Sequence, residues 1–438
     1  MNLHRDILQK LLDWKNSSSR LPLLIKGARQ CGKSWCMKEF GRRNYERTAY
    51  FNFDIDTELK EEFKNTKNPS RLIPILEIYC GFKIEPDTTL IVLDEIQECN
   101  EALNSLKYFV EEAPQFHIIA AGSLLGVALG KEGGSFPVGN VEFIDMYPLT
   151  FKEFLYNADI DCYNFVDEIT SPQPLPLIIY NRLQQLHKRY LICGGMPKAV
   201  LAMIEHNDIS KVDEELSRIL EAYSLDFSKH ASPATVPRIS EIWRSLPSQL
   251  AKENRKFVFK LIRSGARARE YETALEWLQL AGLVYKIHDT ENPIIPLSAY
   301  DDVSAFKIYL FDVGILRALS QIPAEIFISS NPSFREFKGV FAENAALQAF
   351  VPQFRVLPRY WTSQGRAEVD FVIQCKEHVL PVEVKAESNK SGKSLGVYIE
   401  KYRPRKAVTV TSLNVSVDRQ VLNIPHPLAS WLGRWLDF

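Results

Sequence analysis

A phosphate-binding loop directly after an apolar strand constrains the fold of this chain more than any other feature. The strand-like run LPLLI begins at Leu21 and leads into GARQCGKS, residues 27–34, which has the spacing GxxxxGK[ST]. Glycines at both ends let the backbone curl so that successive N–H groups point toward phosphate oxygens, and the following helix adds its positive N-terminal end. Such a loop joins a strand to a helix, so the motif predicts an α/β fold built around it.

The side chains of this loop predict a binding site for ATP and Mg²⁺. Lys33 is expected to reach the β and γ phosphates, and the Ser34 hydroxyl is expected to hold Mg²⁺. The other loop positions would contribute mainly backbone groups: Gly27, Ala28, Arg29, Gln30, Cys31 and Gly32. A chance glycine-rich turn is the alternative interpretation, which the strand before the loop and the helix after it disfavour.

Two further strand ends supply the other parts of a nucleotide site. In TLIVLDEIQ, Asp94 is expected to bind the water shell of Mg²⁺, and Glu95 to polarise the water that attacks the γ-phosphate. An exposed acidic pair at a helix N-terminus is the alternative, but the apolar residues before Asp94 argue against it. The strand HIIAA ends at Gly122 and Ser123, which places a hydroxyl where a γ-phosphate sensor would sit or forms a simple turn.

The composition limits the cellular environments and binding partners that can be expected for this chain. The chain has 53 Lys and Arg against 54 Asp and Glu, so any contact with nucleic acid must come from a local patch. Its seven cysteines are scattered and contain no CxxC pair, which is typical of the reducing cytosol. No run approaches the length of a membrane span and no signal peptide is recognisable, so a cytoplasmic protein without membrane contact is expected.

A basic segment, residues 253–287, supplies such a local patch. Its apolar residues have helical spacing in KFVFKLI and in ALEWLQLA, and Gly282 then precedes a strand, as in a helix, turn, helix and wing. Basic side chains exceed acidic ones around it: Lys252, Arg255, Lys256, Lys260, Arg263, Arg267 and Arg269. This pattern predicts DNA binding; a solvated face on a packing module is the alternative.

The stretch EVDFVIQCKEHVLPVEVK, residues 368–385, predicts a hairpin with charges on one face. A tight turn about Lys376 and Glu377 makes paired residue numbers sum to 753, which sets Asp370 opposite Glu383 and Glu368 opposite Lys385. Opposed side chains lie about 5 Å apart, where like charges repel unless a cation separates them. The pair is therefore either a cation site or part of an exposed charged face.

Together, GARQCGKS, LDEIQ, AAGS, YPLTFKEF and CGGMP resemble a bacterial and archaeal family of AAA-type ATPases that carry a C-terminal domain of unknown function. The resemblance covers almost the whole chain. It implies the AAA+ strand order, with the acid strand and the sensor strand flanking the P-loop strand, and a helical lid after YPLTFKEF. Between Gly122 and Thr150 only Lys131 is basic, so an arginine finger is missing there; Arg182 and Arg189 of the lid are candidates, and a slow switch is favoured over a fast motor.

The C-terminal domain of that family resembles the PD-(D/E)xK nuclease core, in which an Asp is followed by Glu-x-Lys on the next strand. The resemblance implies that Asp370 and Glu383 bind Mg²⁺, that Lys385 orients the attacking water, and that Glu343 joins them from a helix. A catalytically inert binding module of the same fold is the alternative.

The expected architecture is an α/β AAA+ P-loop ATPase core at residues 1–155, a helical lid at 156–249, a winged-helix-like module at 250–295 and an α+β restriction-endonuclease-like domain at 305–438. The expected function is an ATP-dependent switch that acts on DNA and holds or cuts it. A regulatory or scaffold ATPase whose inert C-terminal domain binds a protein partner is the alternative. A homo-oligomer is compatible with either.

Overall fold

The computed structural model describes residues 2–129, 139–252, 256–328, 335–363, 367–387 and 392–436. The chain divides into two compact units. The P-loop unit comprises Arg5–Tyr147 and Leu280–Leu283. The large unit comprises Met1–His4, Pro148–Gln279 and Val284–Phe438.

A five-stranded sheet forms the centre of the P-loop unit. Its strands are β1 (Leu23–Lys26), β2 (Arg47–Asn52), β3 (Thr89–Asp94), β4 (His117–Gly122) and β5 (Glu142–Asp145). They lie in the order β2-β3-β4-β1-β5, and all neighbours are parallel. As expected, the sensor strand β4 pairs with the P-loop strand β1. The expectation that the acid strand β3 also flanks β1 is wrong, because β4 separates the two and β5 occupies the other side of β1.

Helices cover both faces of this sheet. They are α1 (Ile7–Lys15), α2 (Lys33–Asn44), α3 (Thr57–Asn65), α4 (Pro69–Cys80), α5 (Asn100–Glu112) and α6 (Leu125–Leu129). Alternate residues of β3 enter two different apolar cores: Ile91 and Leu93 pack in one, Leu90 and Val92 in the other. A strand covered on both faces reads as a continuous apolar run, which explains why TLIVL was recognisable from the sequence.

The large unit begins with helices. They are α7 (Phe151–Ala158), α8 (Ile160–Asp167), α9 (Leu177–Cys193), α10 (Pro197–Leu201), α11 (Ile209–His230), α12 (Val236–Leu250) and α13 (Ala268–Leu280). Helix α7 starts with a capping box, in which the Thr150 side chain accepts from the Glu153 N–H and the Glu153 side chain accepts from the Thr150 N–H. The motif YPLTFKEF therefore encodes a helix start. Later helices are α14 (Val313–Leu319), α15 (Glu325–Ile328), α16 (Arg335–Phe350) and α17 (Lys393–Tyr402).

An eight-stranded mixed sheet completes the large unit. Its strands are β6 (Val284–Thr290), β7 (Asp301–Leu310), β8 (Arg359–Thr362), β9 (Glu368–Cys375), β10 (His378–Val384), β11 (Ala407–Thr411), β12 (Ser416–Asp418) and β13 (Val421–Pro425). The order is β12-β13-β11-β10-β9-β8-β6-β7. Strands β9 and β10 are antiparallel, whereas β10 and β11 are parallel.

The segment KFVFKLI is not the helix that its spacing predicts. It contains one 3-10 turn, Phe259–Leu261, and Phe257 donates its N–H to the Phe306 carbonyl at 2.8 Å. The Gln249 side chain accepts from the N–H of Val258 and donates to its carbonyl, both at 2.9 Å, which fixes an extended backbone. Strand β6, predicted as the end of a winged helix, lies inside the eight-stranded sheet. The described part of this segment therefore contains one helix, α13, and no helix-turn-helix.

A buried and a partly buried histidine stack in the large unit. The rings of His187 in α9 and His426, which follows β13, have centroids 6.3 Å apart and planes 9° apart. Burial, and then the proximity of His426, lowers the pKa of His187 to about 3. Burial lowers the pKa of His426 to about 4, although its ring donates a hydrogen bond to the Lys385 carbonyl at 3.0 Å. Both imidazoles are therefore neutral in the folded protein at pH 7.

Acidification should destabilise the large unit through this pair. An unfolded histidine has a pKa of about 6.5, so below that pH the unfolded state binds more protons and stability falls by up to about 1.4 kcal/mol per pH unit for each histidine. The free energy of urea unfolding, measured from pH 7.5 to 5, should fall less steeply in His187→Gln. The exposed His206 provides the control, His206→Gln, which should keep the wild-type slope. Equal slopes in all three proteins would contradict this account.

Candidate nucleotide site and carboxylate cluster

The P-loop joins β1 to α2 and requires glycine at both ends. Gly27 and Gly32 have φ of 152° and 99°, conformations that L side chains rarely adopt. A Cβ on Gly27 would also lie 2.1 Å from the Met146 carbonyl oxygen. Gly32 is the N-cap of α2, so the loop ends at the positive N-terminus of a 12-residue helix.

Lys33 is buried inside the loop that it was predicted to serve. Its ammonium donates to the carbonyl oxygens of Gly27 and Ala28, both at 2.8 Å. The loop is held from outside by the buried Arg5, whose guanidinium donates to the Cys31 and Tyr147 carbonyl oxygens at 2.9 and 2.6 Å. Sequence analysis missed Arg5, because nothing in MNLHRDILQ links it to a loop more than 20 residues later.

A tyrosine hydroxyl lies beside the predicted magnesium ligand Asp94. The buried carboxylate of Asp94 accepts the Tyr50 hydroxyl at 2.6 Å. The Ser34 side chain is near enough to Tyr50 to oppose the rise in its pKa. Burial, followed by the hydrogen bond to Asp94, raises the pKa of Tyr50, so the phenol stays protonated and donates. Ser34 and Asp94 thus both lie near the Tyr50 hydroxyl, and their role as magnesium ligands stays a prediction. Tyr50 lies within TAYFNF, on β2, and reaches Asp94 because β2 pairs with β3.

Glu95 is held by the sensor strand. Its Oε1 accepts from the Ser123 hydroxyl at 3.2 Å, and its Oε2 accepts from the Gln97 side-chain amide at 2.6 Å. Glu95 also has a left-handed backbone, with φ of 50°, which costs energy in a residue other than glycine. Both predicted residues therefore lie in one hydrogen-bonded group at the carboxyl ends of β3 and β4.

The C-terminal hairpin has the predicted register. Cys375 pairs with His378, and the pairing continues to Phe371 with Val382, so each pair of numbers sums to 753. The next position beyond these pairs brings together Asp370 and Glu383, which are 9% and 3% exposed. The interpretation as an exposed charged face is therefore wrong for these two residues.

The charge of Asp370 acts on Glu383. Burial, followed by the charge of Asp370, raises the pKa of Glu383 to about 7, and Lys385 opposes this rise. Lys385 Nζ lies 2.5 Å from Glu383 Oε1, whereas Glu383 Oε2 has no hydrogen-bond partner among the described residues. Asp370 Oδ2 accepts the Val384 N–H at 2.8 Å. One buried carboxylate oxygen of the pair is thus open to a cation or a proton.

Lys307, on β7, is a buried cation within this cluster that sequence analysis missed. It is 0% exposed, forms an ion pair with Glu368, and lies 4.8 Å from the centre of the Tyr360 ring. Burial alone would lower the pKa of Lys307, but Tyr309, Glu368 and Asp370 outweigh it and raise the pKa. The signal was a lysine within the otherwise apolar strand FKIYLF.

The carboxylate pair fits a hydrated metal ion better than a closed metal site. Among the residues that the structure describes, no group of three or more His, Cys, Asp or Glu could hold a metal ion. The predicted third ligand, Glu343, instead accepts the Tyr309 hydroxyl at 3.0 Å. Mg²⁺ is usually bound through one or two carboxylates and keeps several waters. Asp370 and Glu383, with one unpartnered oxygen, fit that requirement.

The remaining basic candidates have varied surroundings. Arg182 forms an ion pair with Asp159 at 2.7 Å, and Arg189 is exposed on α9. In the basic segment, Lys256 lies 3.9 Å from Asp289 and Arg263 lies 3.6 Å from Glu270. Lys131 and Arg255 lie outside the described residues.

Comparison with known families places the nucleotide site in an AAA domain. Residues 19–155 match the family model described as an AAA domain, and this range contains Gly27 to Ser34, Asp94, Glu95 and Ser123. The chain therefore carries an AAA-type P-loop ATPase domain. Residues 184–326 and 338–428 match two domains of unknown function, DUF8612 and DUF4143. The nuclease-like fold thus remains a prediction.

Several solved structures resemble the chain at low sequence identity. A Walker-type ATPase of Pyrococcus abyssi is 16% identical, with 73% of this chain and 96% of that chain covered and a TM-score of 0.46. The ORC2 protein of Aeropyrum pernix, in ADPNP–ADP complexes, is 14% identical over 73% and 89% of the two chains, with a TM-score of 0.33. The search of curated proteins gave no match. Across the described ranges, no helix is long and apolar enough to cross a membrane.

Removing the buried cation should destabilise the large unit. Lys307→Met leaves the acidic side chains around it without their counterion, and breaking a buried ion pair costs about 3 kcal/mol. The loss in free energy of unfolding should be largest near pH 8. It should shrink toward pH 5, because Glu383, whose pKa is raised to about 7, then takes up a proton and the repulsion between the acidic side chains falls.

Lys256→Met is the matched control for this experiment. The Lys256 side chain is partly exposed to solvent. Ion pairs at exposed positions contribute about 1 kcal/mol or less to the free energy of unfolding. A Lys307→Met variant as stable as the wild type at both pH values would rule out the counterion role.

Proposed function

We propose that this chain is an ATP-dependent switch that acts on DNA. The observation that carries the proposal is the hydrogen bond between Ser123 and Glu95. It joins the predicted γ-phosphate sensor to the predicted general base. A phosphate group beside Ser123 would compete for its hydroxyl, which would release one oxygen of Glu95 toward water. Occupancy of the γ-phosphate position would in this way control when the base can act.

The other site residues would act by exchanging partners. The Lys33 ammonium would leave the Gly27 and Ala28 carbonyls for phosphate oxygens. Ser34 and Asp94 would hold Mg²⁺, which supplies charge neutralisation at the phosphates when bound. The Tyr50 hydroxyl would keep the Asp94 carboxylate oriented through its 2.6 Å hydrogen bond.

Slow turnover is favoured because the sequence offers no arginine between Gly122 and Thr150. The lid candidate Arg182 is already engaged by Asp159. An arginine finger is worth several orders of magnitude in rate in P-loop NTPases, so a chain that lacks one would hold ATP for long periods. Long occupancy suits a switch more than a motor.

The DNA-binding part of the proposal rests on exposed basic side chains. Lys260, Arg263, Arg267 and Arg269 are exposed within ten residues of one another, just before and at the start of α13. Clustered cations of this kind bind the phosphate backbone without reading sequence.

A second candidate function is Mg²⁺-dependent cleavage of a phosphodiester by the large unit. It is supported by the buried pair Asp370 and Glu383 and by the unpartnered Glu383 oxygen. Asp370 and Glu383 would hold the ion, and Lys385 would orient water. The internal cation Lys307 favours the alternative, an inert domain that binds a protein partner, because it compensates the acids without a metal.

The ATPase proposal predicts separate effects on binding and turnover. Lys33→Ala should lose measurable ATP binding. Glu95→Gln should bind ATP within about threefold of the wild type but turn over at least about 100-fold more slowly, because a general base contributes that much. Phosphate release with and without duplex DNA measures turnover, and Lys10→Ala, at an exposed position, is the control. Unchanged turnover in Glu95→Gln would refute the assigned base.

The cleavage proposal predicts Mg²⁺-dependent nicking that Asp370→Asn and Lys385→Ala both abolish. Glu377→Gln, at the exposed tip of the same hairpin, should nick like the wild type. The assay should use supercoiled, linear and single-stranded DNA, and RNA, with Mg²⁺ or Mn²⁺. No cleavage of any substrate would reject the nuclease and leave the ATPase proposal intact.

A further inference from the structure

A cavity of about 490 Å³ lies in the large unit, outside its carboxylate cluster. Its walls come from the connection after α16, the turn between β9 and β10, and the 3-10 segment His426–Trp435. The volume is typical of a site for a small molecule. The β9 residue Cys375 at its wall is five positions from Asp370, or about 17 Å along a strand, so the cavity is distinct from the carboxylate cluster.

The lining of this cavity is cationic. Among the described residues, four basic side chains line it and no Asp or Glu does: Lys152, Arg355, Lys376 and Arg434. Lys152 and Arg434 share one neighbouring carboxylate, Asp167, at 3.5 and 3.2 Å. Arg355 and Lys376 are exposed to solvent. Within the described part of the lining, the cations outnumber the carboxylate of Asp167, and this excess of positive charge favours an anionic ligand.

A buried hydroxyl points to a hydrogen-bonding ligand. Ser430 lines the cavity and is only 9% exposed, yet its Oγ has no hydrogen-bond partner in the described chain. A buried hydroxyl without a partner costs about 1–3 kcal/mol, so native proteins rarely leave one unsatisfied. The Oγ itself lies beneath the cavity surface, so a rotation of the Ser430 side chain toward the cavity would bring this hydroxyl to an acceptor oxygen of a bound anion.

The wall that carries Ser430 is fixed in place. Gln353 accepts the Gly433 N–H at 2.9 Å and donates to the Ala429 carbonyl at 2.9 Å, so one side chain holds both sides of Ser430. Trp431 donates its indole N–H to Asp167 at 2.9 Å. A wall held by these bonds needs little reorganisation on binding, which favours affinity.

We propose that this cavity binds a phosphate monoester of nucleotide size. A monoester carries nearly two negative charges at pH 7 and several acceptor oxygens, which suits four cations and a free hydroxyl donor. Arg355 and Arg434 offer forked donors that match phosphate. The monoester comes either from a free nucleotide or from the 5′ end of a nucleic acid strand. Lys152 gives the motif YPLTFKEF a second role, since it lines this cavity.

The test measures binding by titration calorimetry to the full chain carrying Lys33→Ala, which silences the P-loop. The probes are 5′-AMP and a DNA hexanucleotide with a 5′-phosphate or a 5′-hydroxyl. If AMP binds saturably and the 5′-phosphate does not change the affinity for the hexanucleotide, the ligand of the cavity is a free nucleotide. A hexanucleotide bound at least about tenfold more tightly with its 5′-phosphate than without it identifies a strand end.

Variants tie that binding to the cavity. In the Lys33→Ala background, adding both Arg355→Ser and Lys376→Ser should weaken binding of the phosphate probe at least tenfold. Adding Ser430→Ala alone should weaken it about threefold or more. The matched control adds Lys188→Ser and Arg405→Ser, two exposed cations that do not line the cavity, and should change affinity less than threefold. The proposal is overturned if no probe shows phosphate-dependent saturation, or if the control pair weakens binding as much as the cavity pair does.

Discussion

The large unit depends on one buried carboxylate, Asp312, between β7 and α14. It is completely buried and accepts three hydrogen bonds: from the Gly195 N–H at 2.6 Å, the Ile315 N–H at 3.0 Å and the Gln348 amide at 3.0 Å. Burial raises the pKa of Asp312, and these donors oppose the rise. A Cβ at Gly194 would lie 2.2 Å from Asp312 Oδ1, so the turn CGGMP can approach the carboxylate only because glycine stands there.

From Asp312 the hydrogen bonds reach the start of the large unit. Gln348 of α16 also donates to the Tyr190 hydroxyl at 2.9 Å, and Tyr190 donates to the Leu149 carbonyl at 2.7 Å. The Leu149 N–H closes the network on the Gly195 carbonyl at 2.7 Å. The motifs YPLTFKEF and CGGMP are therefore joined to the C-terminal part of the chain by fully buried polar bonds. Because an incompletely satisfied network of this kind is costly, these segments are expected to move as one body.

The local sequence pattern predicted the structure correctly where interactions between neighbouring residues determine it. The P-loop follows from glycine spacing, and the register of the β9–β10 hairpin follows from a two-residue turn and the residue numbers. The local pattern gave wrong predictions where a side chain distant in the sequence determines the backbone conformation. Gln249 holds KFVFKLI extended against its helical spacing, and β5 was overlooked because its half-exposed pattern has no apolar run. Lys307 and Tyr50 have their roles only through strands that the fold brings beside them.

The chain's own groups already compensate the charges at both candidate sites. Lys33 is bound by two carbonyls, Asp94 by Tyr50, Glu95 by Ser123 and Gln97, and the C-terminal acids by Lys307 and Lys385. A ligand at either site must therefore replace existing bonds, and only the difference between new and old bonds contributes to affinity. At Glu95 the existing partner is a hydrogen bond that a ligand can replace. The state of the Glu95 carboxylate therefore depends on whether a ligand is bound. A buried ion pair such as Lys307 with Glu368 is far more costly to break, so it favours a site that holds its form with or without a metal ion.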